Sequence, residues 1–177
     1  VTIKVALKEK IMSGEGLMQF NTARSGYENA LGLLENRQWE DALACLVLEG
    51  ELEETMGWVL QRFTTGAEPL SDLAQLCAND ISQWLNSHDE TLRWRIFQQA
   101  ETLGFDTPLG ALGLSVFWMR GSMTPTEFDA VYPEPHLAPL MVHCALKLLS
   151  VALAGDNAPY IGAQTLLTEW FAVKGLH

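Results

Sequence analysis

Positive charge is scarce in this chain. Eleven lysines and arginines stand against 22 aspartates and glutamates over 177 residues, a formal net charge of −11. Binding to nucleic acid or to an anionic membrane needs a basic patch that exchanges for counterions, so this balance argues against both. Cysteine is equally sparse: Cys45, Cys77 and Cys144 are odd in number, far apart and without CxxC spacing. That suits neither a disulfide framework nor a zinc site, and each lies in an apolar helical pattern, so buried reduced thiols are expected. Also missing are the glycine motifs that cradle phosphate, GxGxxG and GxxxxGK[ST], and the HExxH and GxSxG signatures of metal-dependent and serine hydrolases. The chain opens Val-Thr-Ile-Lys without an apolar h-region. No signal peptide is therefore expected, and with the free thiols this points to a reducing, cytoplasmic compartment.

What is present is apolar pattern. Hydrophobic residues make up 48% of the chain and charged residues 19%, which fits a folded domain. A single domain over 1–177 is expected, long enough to bury roughly 70% of its unfolded surface. The most apolar stretch runs from Phe105 to Gly155. Thr107-Pro108 is a helix start, and only Gly110, Gly113 and Ser115 interrupt the apolar run from Leu109 to Met119. A helix apolar on all sides must be enclosed by others, and its two glycines invite a neighbour to approach closely. A second apolar helix is predicted from near Pro139 to Gly155. It is too short for a bilayer, which takes about 20 residues, and it carries Lys147 at its middle.

The rest of the chain reads as helices too. Residues 1–16 stay open between a short strand and a frayed or flexible helix. The spacing predicts a helix over Leu17–Leu34, then an αα-hairpin over Trp39–Phe63 with Gly50 at its turn. Pro69 opens a helix with a long apolar stripe ending near Leu85. Asp89 or Ser87 caps the next, which ends at Gly104 and allows an Asp89–Arg93 pair at i, i+4. Ile161–Val173 is the last. The fold class is all-α, an irregular bundle of about seven or eight helices built from αα-hairpins. Its packing is TPR- or HEAT-like, but no fixed 34- or 40-residue period appears.

Two surfaces could carry function. The span Glu35–Glu54 holds seven carboxylates against the lone Arg37. Read blandly it is the solvated side of a hairpin; read functionally, Glu40, Asp41, Glu51, Glu53 and Glu54 form a docking face for a basic partner. The second is the loop from Ser122 to Ala138, rich in proline yet carrying Met123, Phe128, Val131, Tyr132 and Leu137. The leading expectation is a fixed strap packed onto the body, with a binding surface formed by Phe128, Tyr132 and His136 as the alternative. The only histidines are His88, His136, His143 and His177. His143 and Cys144 are sequence neighbours pointing in different directions, a poor nucleophile–base pair. A metal held by His136, His143 and Asp156 is a minor alternative. No enzyme, cofactor or metal is expected.

Three segments then carry a likeness: WEDALACLVLEGELEETMGWVLQRF, WLNSHDETLRWRIFQQAETLGFDTPLGALGLSVFWMRGSM and YPEPHLAPLMVHCALKLLSVALAGDNA. In this order, with FW…GS followed by PEPHL, they resemble a bacterial family of unknown function associated with type VI secretion gene clusters. Together they cover most of residues 39–158. The chain departs where Arg120 stands in place of the first of two glycines, and where Trp58 stands alone instead of in a tryptophan pair. The family has no established catalytic residues, so the resemblance implies context only: a cytoplasmic accessory, adaptor, chaperone or immunity protein of that machine. The leading expectation is a non-catalytic protein–protein interaction component whose partner is a secretion component or an effector toxin. A structural homo-oligomer ranks second. A small-ligand binder or enzyme, with a polar pocket between the 108–120 helix and the 122–138 loop, ranks third.

Overall fold

A computed structural model describes residues 2–66 and 68–175, without the side chains of residues 2 and 3. His177 therefore lies outside the described residues. Ten helices and no strand occur among those described: α1 (Thr2–Ile11), α2 (Gly14–Gln19), α3 (Gly26–Glu35), α4 (Trp39–Glu49), α5 (Leu52–Thr64), α6 (Asp72–Ser87), α7 (Glu90–Leu103), α8 (Pro108–Met119), α9 (Leu137–Ala154) and α10 (Pro159–Val173). The all-α class holds. The chain forms two compact units, residues 1–51 with 146–177, and residues 52–145.

The first unit is organised around α4, where every residue from Asp41 to Val47 is buried. Its neighbours are α3, α10 and α1. Residues 1–16, open between strand and helix from sequence, are helical. Ser13 caps α2 by accepting from the Gly16 N–H at 3.0 Å. The predicted helix over Leu17–Leu34 is in fact two, separated after Gln19. Ser25 and Glu28 make a capping box at the start of α3, and the Asn29 amide donates to the Asn21, Arg24 and Ser25 carbonyls. These polar bonds stop the helix that the apolar spacing alone would have continued.

The second unit is organised around α8. All nine residues from Leu109 to Phe117 are buried, as the unbroken apolar run requires. Thr107 caps it by accepting from the Gly110 N–H at 3.2 Å, with Pro108 at the first position. The two glycines serve close packing. A Cβ on Gly113 would lie 2.7 Å from the Ala100 Cβ of α7, and one on Gly110 would collide with the Gly104 carbonyl. Helices α6, α7 and α8 pack as successive hairpins. Pro69 does not open α6: Ser71 does, its hydroxyl accepting from the Ala74 N–H.

Two long-range expectations change. The Trp39–Phe63 pair forms as two helices broken at Gly50, but α4 and α5 belong to different units and serve different cores. The second apolar helix starts at Leu137 and runs 18 residues at a mean hydropathy of 1.8, with half of it buried. It is long and apolar enough to cross a membrane by those measures, which a core helix also meets. Its residues up to Ala145 belong to the second unit and those from Leu146 to the first.

Candidate functional site

The geometry that positions a functional surface starts at a buried cation. Arg93 of α7 is 1% exposed. Its guanidinium donates from Nη1 to the Phe117 carbonyl and from Nη2 to the Ser122 carbonyl, both at 2.7 Å. The same group forms a fork on Glu90, Nε to Oε2 at 2.8 Å and Nη2 to Oε1 at 2.7 Å. It also lies over the Phe117 ring at 4.5 Å. A fork with fixed donor directions satisfies carboxylate and carbonyls together, which an ammonium cannot do from one place. Arg93 thereby closes the C-terminus of α8 and holds the chain just beyond it. The fork also keeps the Glu90 carboxyl below the usual carboxylate range. Sequence spacing pointed to Asp89 as the partner of Arg93, but that carboxylate is used as the α7 cap, accepting from the Leu92 N–H at 2.8 Å.

Gly121 makes the approach possible. Its φ is +90°, and a Cβ there would sit 2.9 Å from the Arg93 Cζ. Next in line, the Ser122 hydroxyl accepts from the Val131 N–H at 2.9 Å and the Thr124 N–H at 3.1 Å. The Met123 N–H donates to the Val131 carbonyl at 2.7 Å, and the Thr124 hydroxyl to the Asp129 carbonyl at 2.7 Å. The loop 122–136 is thus closed by polar bonds and anchored to α7.

Its large apolar side chains divide: Met123 and Leu137 are half-buried against the body, and the other three face solvent. Phe128 is 64% exposed, Tyr132 70% and Val131 48%. The expected strap, packed by these groups onto the body, is corrected on this point: the loop is tied down by Ser122 and presents its aromatics to solvent. Beside them an open groove of about 380 Å³ is lined by Trp118, Met119, Tyr132, Pro133, Pro135 and Pro139, among others. Glu127, Asp129 and Glu134 on the same loop are exposed. The lining is rings and aliphatic surface, and the polar cluster expected of a small-ligand pocket at this junction is not among the lining residues.

The acidic candidates separate into different roles. Asp41 is 3% exposed and accepts from the Ser13 N–H at 2.8 Å and the Ser13 hydroxyl at 2.6 Å, so it holds α2 to α4 and is closed to a partner. Glu40 faces Lys147 at 3.8 Å. Glu53 clamps two helix ends: His88 Nε2 lies 2.6 Å from its Oε1, and Arg120 donates to it from Nε at 3.2 Å. Burial pushes the Glu53 pKa up, but hydrogen bonds from Arg120 and His88 outweigh it and hold the group below its ordinary value. Glu51 and Glu54 are exposed. His136 precedes α9, its Nδ1 3.3 Å from Glu134, and His143 is buried. No group of three or more metal-ligating side chains occurs among the described residues. Cys45 and Cys77 are buried free thiols, both pushed up to about 12 by burial and neighbouring carboxylates.

Arg93, Gly121 and Ser122 were not singled out as a set from sequence. The available signals were the lone arginine among inward positions of α7 and the Gly-Ser pair directly after the FW…R end of α8. A family of unknown function, DUF6931, matches residues 31–167. The chain belongs to this family. The three segments that carried the resemblance all fall within the matched span, and so do Arg93, Gly121, Ser122 and the exposed loop aromatics. No curated protein and no solved structure matches the chain.

Proposed function

We propose that this protein is a non-catalytic docking component, and that the loop 122–136 is the surface it docks with. The observation that carries the reading is the contrast within that loop. Its backbone is held by the Arg93 and Ser122 hydrogen bonds, while Phe128 and Tyr132 project outward. Rigid presentation of large amphipathic rings lowers the ordering cost of binding, and such rings dominate interface energetics. The exposed Glu51 and Glu54 offer a secondary, electrostatic contribution. The cellular setting we propose is cytoplasmic, as an accessory, adaptor or effector-associated component of a type VI secretion system. That setting is supported by the resemblance in the WEDALAC, FWMRGSM and PEPHL segments.

The test is capture from the native host with the tagged full chain, alongside Phe128→Ala/Tyr132→Ala and Glu51→Lys/Glu54→Lys variants. A secretion component or effector recovered with wild type and lost with the aromatic pair supports the reading. Unchanged recovery with the aromatic pair would move docking away from the loop. Recovery of further copies of the chain alone, with light scattering reporting an oligomer, would replace it with the homo-oligomer reading.

A further inference from the structure

The loop and its groove also carry information on what kind of partner fits, an inference that rests on the docking reading above. Three of the groove residues, Pro133, Pro135 and Pro139, have no backbone N–H to offer. Elsewhere on the loop, the Met123 N–H is donated to the Val131 carbonyl and the Val131 N–H to the Ser122 hydroxyl. An incoming β-strand would therefore meet a ladder interrupted at Pro133 and Pro135. The donors that side chains can present there are point donors, the Trp118 indole N–H and the Tyr132 phenol, set among flat ring surfaces. A polyproline-type segment matches that arrangement. It is extended, makes no internal hydrogen bonds, leaves its carbonyls open to point donors and packs its own rings on aromatic walls. The volume, about 380 Å³, takes a few side chains rather than the whole face of a helix. Charge adds the second half of the recognition. Glu127, Asp129 and Glu134 are exposed along the loop in a chain of net charge −11, and these complement cations on the partner.

We propose that the groove between α8 and the loop takes an extended, proline-containing segment of another protein that bears arginine or lysine beside its prolines. Docking the rings fills the groove, and the flanking cations meet the acidic loop.

The probe is a synthetic peptide, Arg-Pro-Leu-Pro-Pro-Arg, titrated into the isotope-labelled full chain while the six indole N–H signals are followed by NMR. Trp118→Phe assigns the relevant signal. The expected result is a shift of the Trp118 indole and loop amides, with binding that weakens as salt rises. Tyr132→Ala, an exposed position, weakens it on the order of tenfold. An Asp-Pro-Leu-Pro-Pro-Asp control leaves the signals in place. The proposal is overturned if the peptide fails to bind, if Tyr132→Ala binds it as well as wild type, or if a basic amphipathic helical peptide takes the same face more tightly. In each of those cases the occupant is wrong, while the docking reading stands or falls separately on host capture with the Phe128→Ala/Tyr132→Ala variant.

Discussion

The Arg93 guanidinium and the Ser122 carbonyl meet at 2.7 Å, and this contact joins the core of the second unit to the loop that shows its aromatics to solvent. One buried cation thus does two jobs, closing α8 at Phe117 and holding the loop root. Replacing it separates charge from geometry. Arg93→Lys keeps the charge but loses the fork, and Arg93→Met leaves the Phe117 and Ser122 carbonyls without this donor, while Glu90 keeps the Trp94 indole N–H and solvent. Both variants are expected to lower stability, the second by about 3 kcal/mol, mostly from the two carbonyls left unpaired. Urea unfolding measures it. Equal midpoints for Arg93→Lys and wild type would show that the fork geometry contributes nothing.

Gly121→Ala tests the same junction from the other side. The substitution forces a side chain into φ +90° and places its Cβ 2.9 Å from the guanidinium, so either the backbone or Arg93 must shift. We expect a loss of about 2 kcal/mol and faster amide exchange at Met123 and Val131. Gly14→Ala is the control, because a Cβ there meets nothing within 4 Å. A loss at Gly14 as large as at Gly121 would mean that the Arg93 contact is not the cause.

The Glu53 clamp changes how charge reversal should be read. Glu53→Lys puts a cation against Arg120 and His88, so it is expected to destabilise the second unit. Glu51→Lys/Glu54→Lys changes twice as much charge, at exposed positions. The thermal midpoint should fall further for the first variant than for the second. If the two fall together, the Glu53 contacts with His88 and Arg120 are no more than surface pairs.

What the sequence made readable divides along a physical line. Helix α8 was readable because its apolar run, its Thr107-Pro108 start and its glycines agree with one another. The break between α2 and α3 was not, since it depends on Asn29 and Ser25 satisfying particular backbone groups, while the apolar spacing runs on through it. The loop misled for a related reason. Counting its large apolar residues predicts burial, but the Ser122 hydroxyl supplies an alternative means of holding it, which leaves the rings free. The Arg93 partner turned on competition: Asp89 and Glu90 both lie within reach along α7, and capping had already used Asp89. The candidate docking residues divided likewise, with Phe128 and Tyr132 at the surface and Asp41 consumed by Ser13.

Thiol chemistry should follow burial. Cys45 and Cys77 are buried, and burial pushes both thiols up to about 12, so little of either is thiolate at pH 8. A disulfide-exchange reagent added to the native chain should label Cys144, which is half-buried, ahead of the other two. Denaturant should release all three. Rapid native labelling of Cys77 would show that α6 opens readily.

Acid stability provides the broadest test of the second unit. Glu53, Asp80 and Glu90 all titrate below their ordinary values in the folded chain. For Asp80 burial acts the other way, but the Arg95 fork, two bonds of 2.8 Å, and the Gln99 amide at 2.9 Å prevail. Because the unfolded chain takes up these protons first as pH falls, the stability they contribute is whole above the ordinary carboxylate range. It is lost as pH falls through the ordinary carboxylate range and on through their lower folded values. Asp80→Asn removes the largest buried share, so it should cost about 2 kcal/mol at pH 7. It should also flatten the decline of the urea midpoint between pH 5 and pH 3, because the variant has one fewer depressed carboxyl to protonate. Parallel declines in variant and wild type would show that the Asp80–Arg95 pair is not part of the acid response, and would leave Glu53 and Glu90 to account for it.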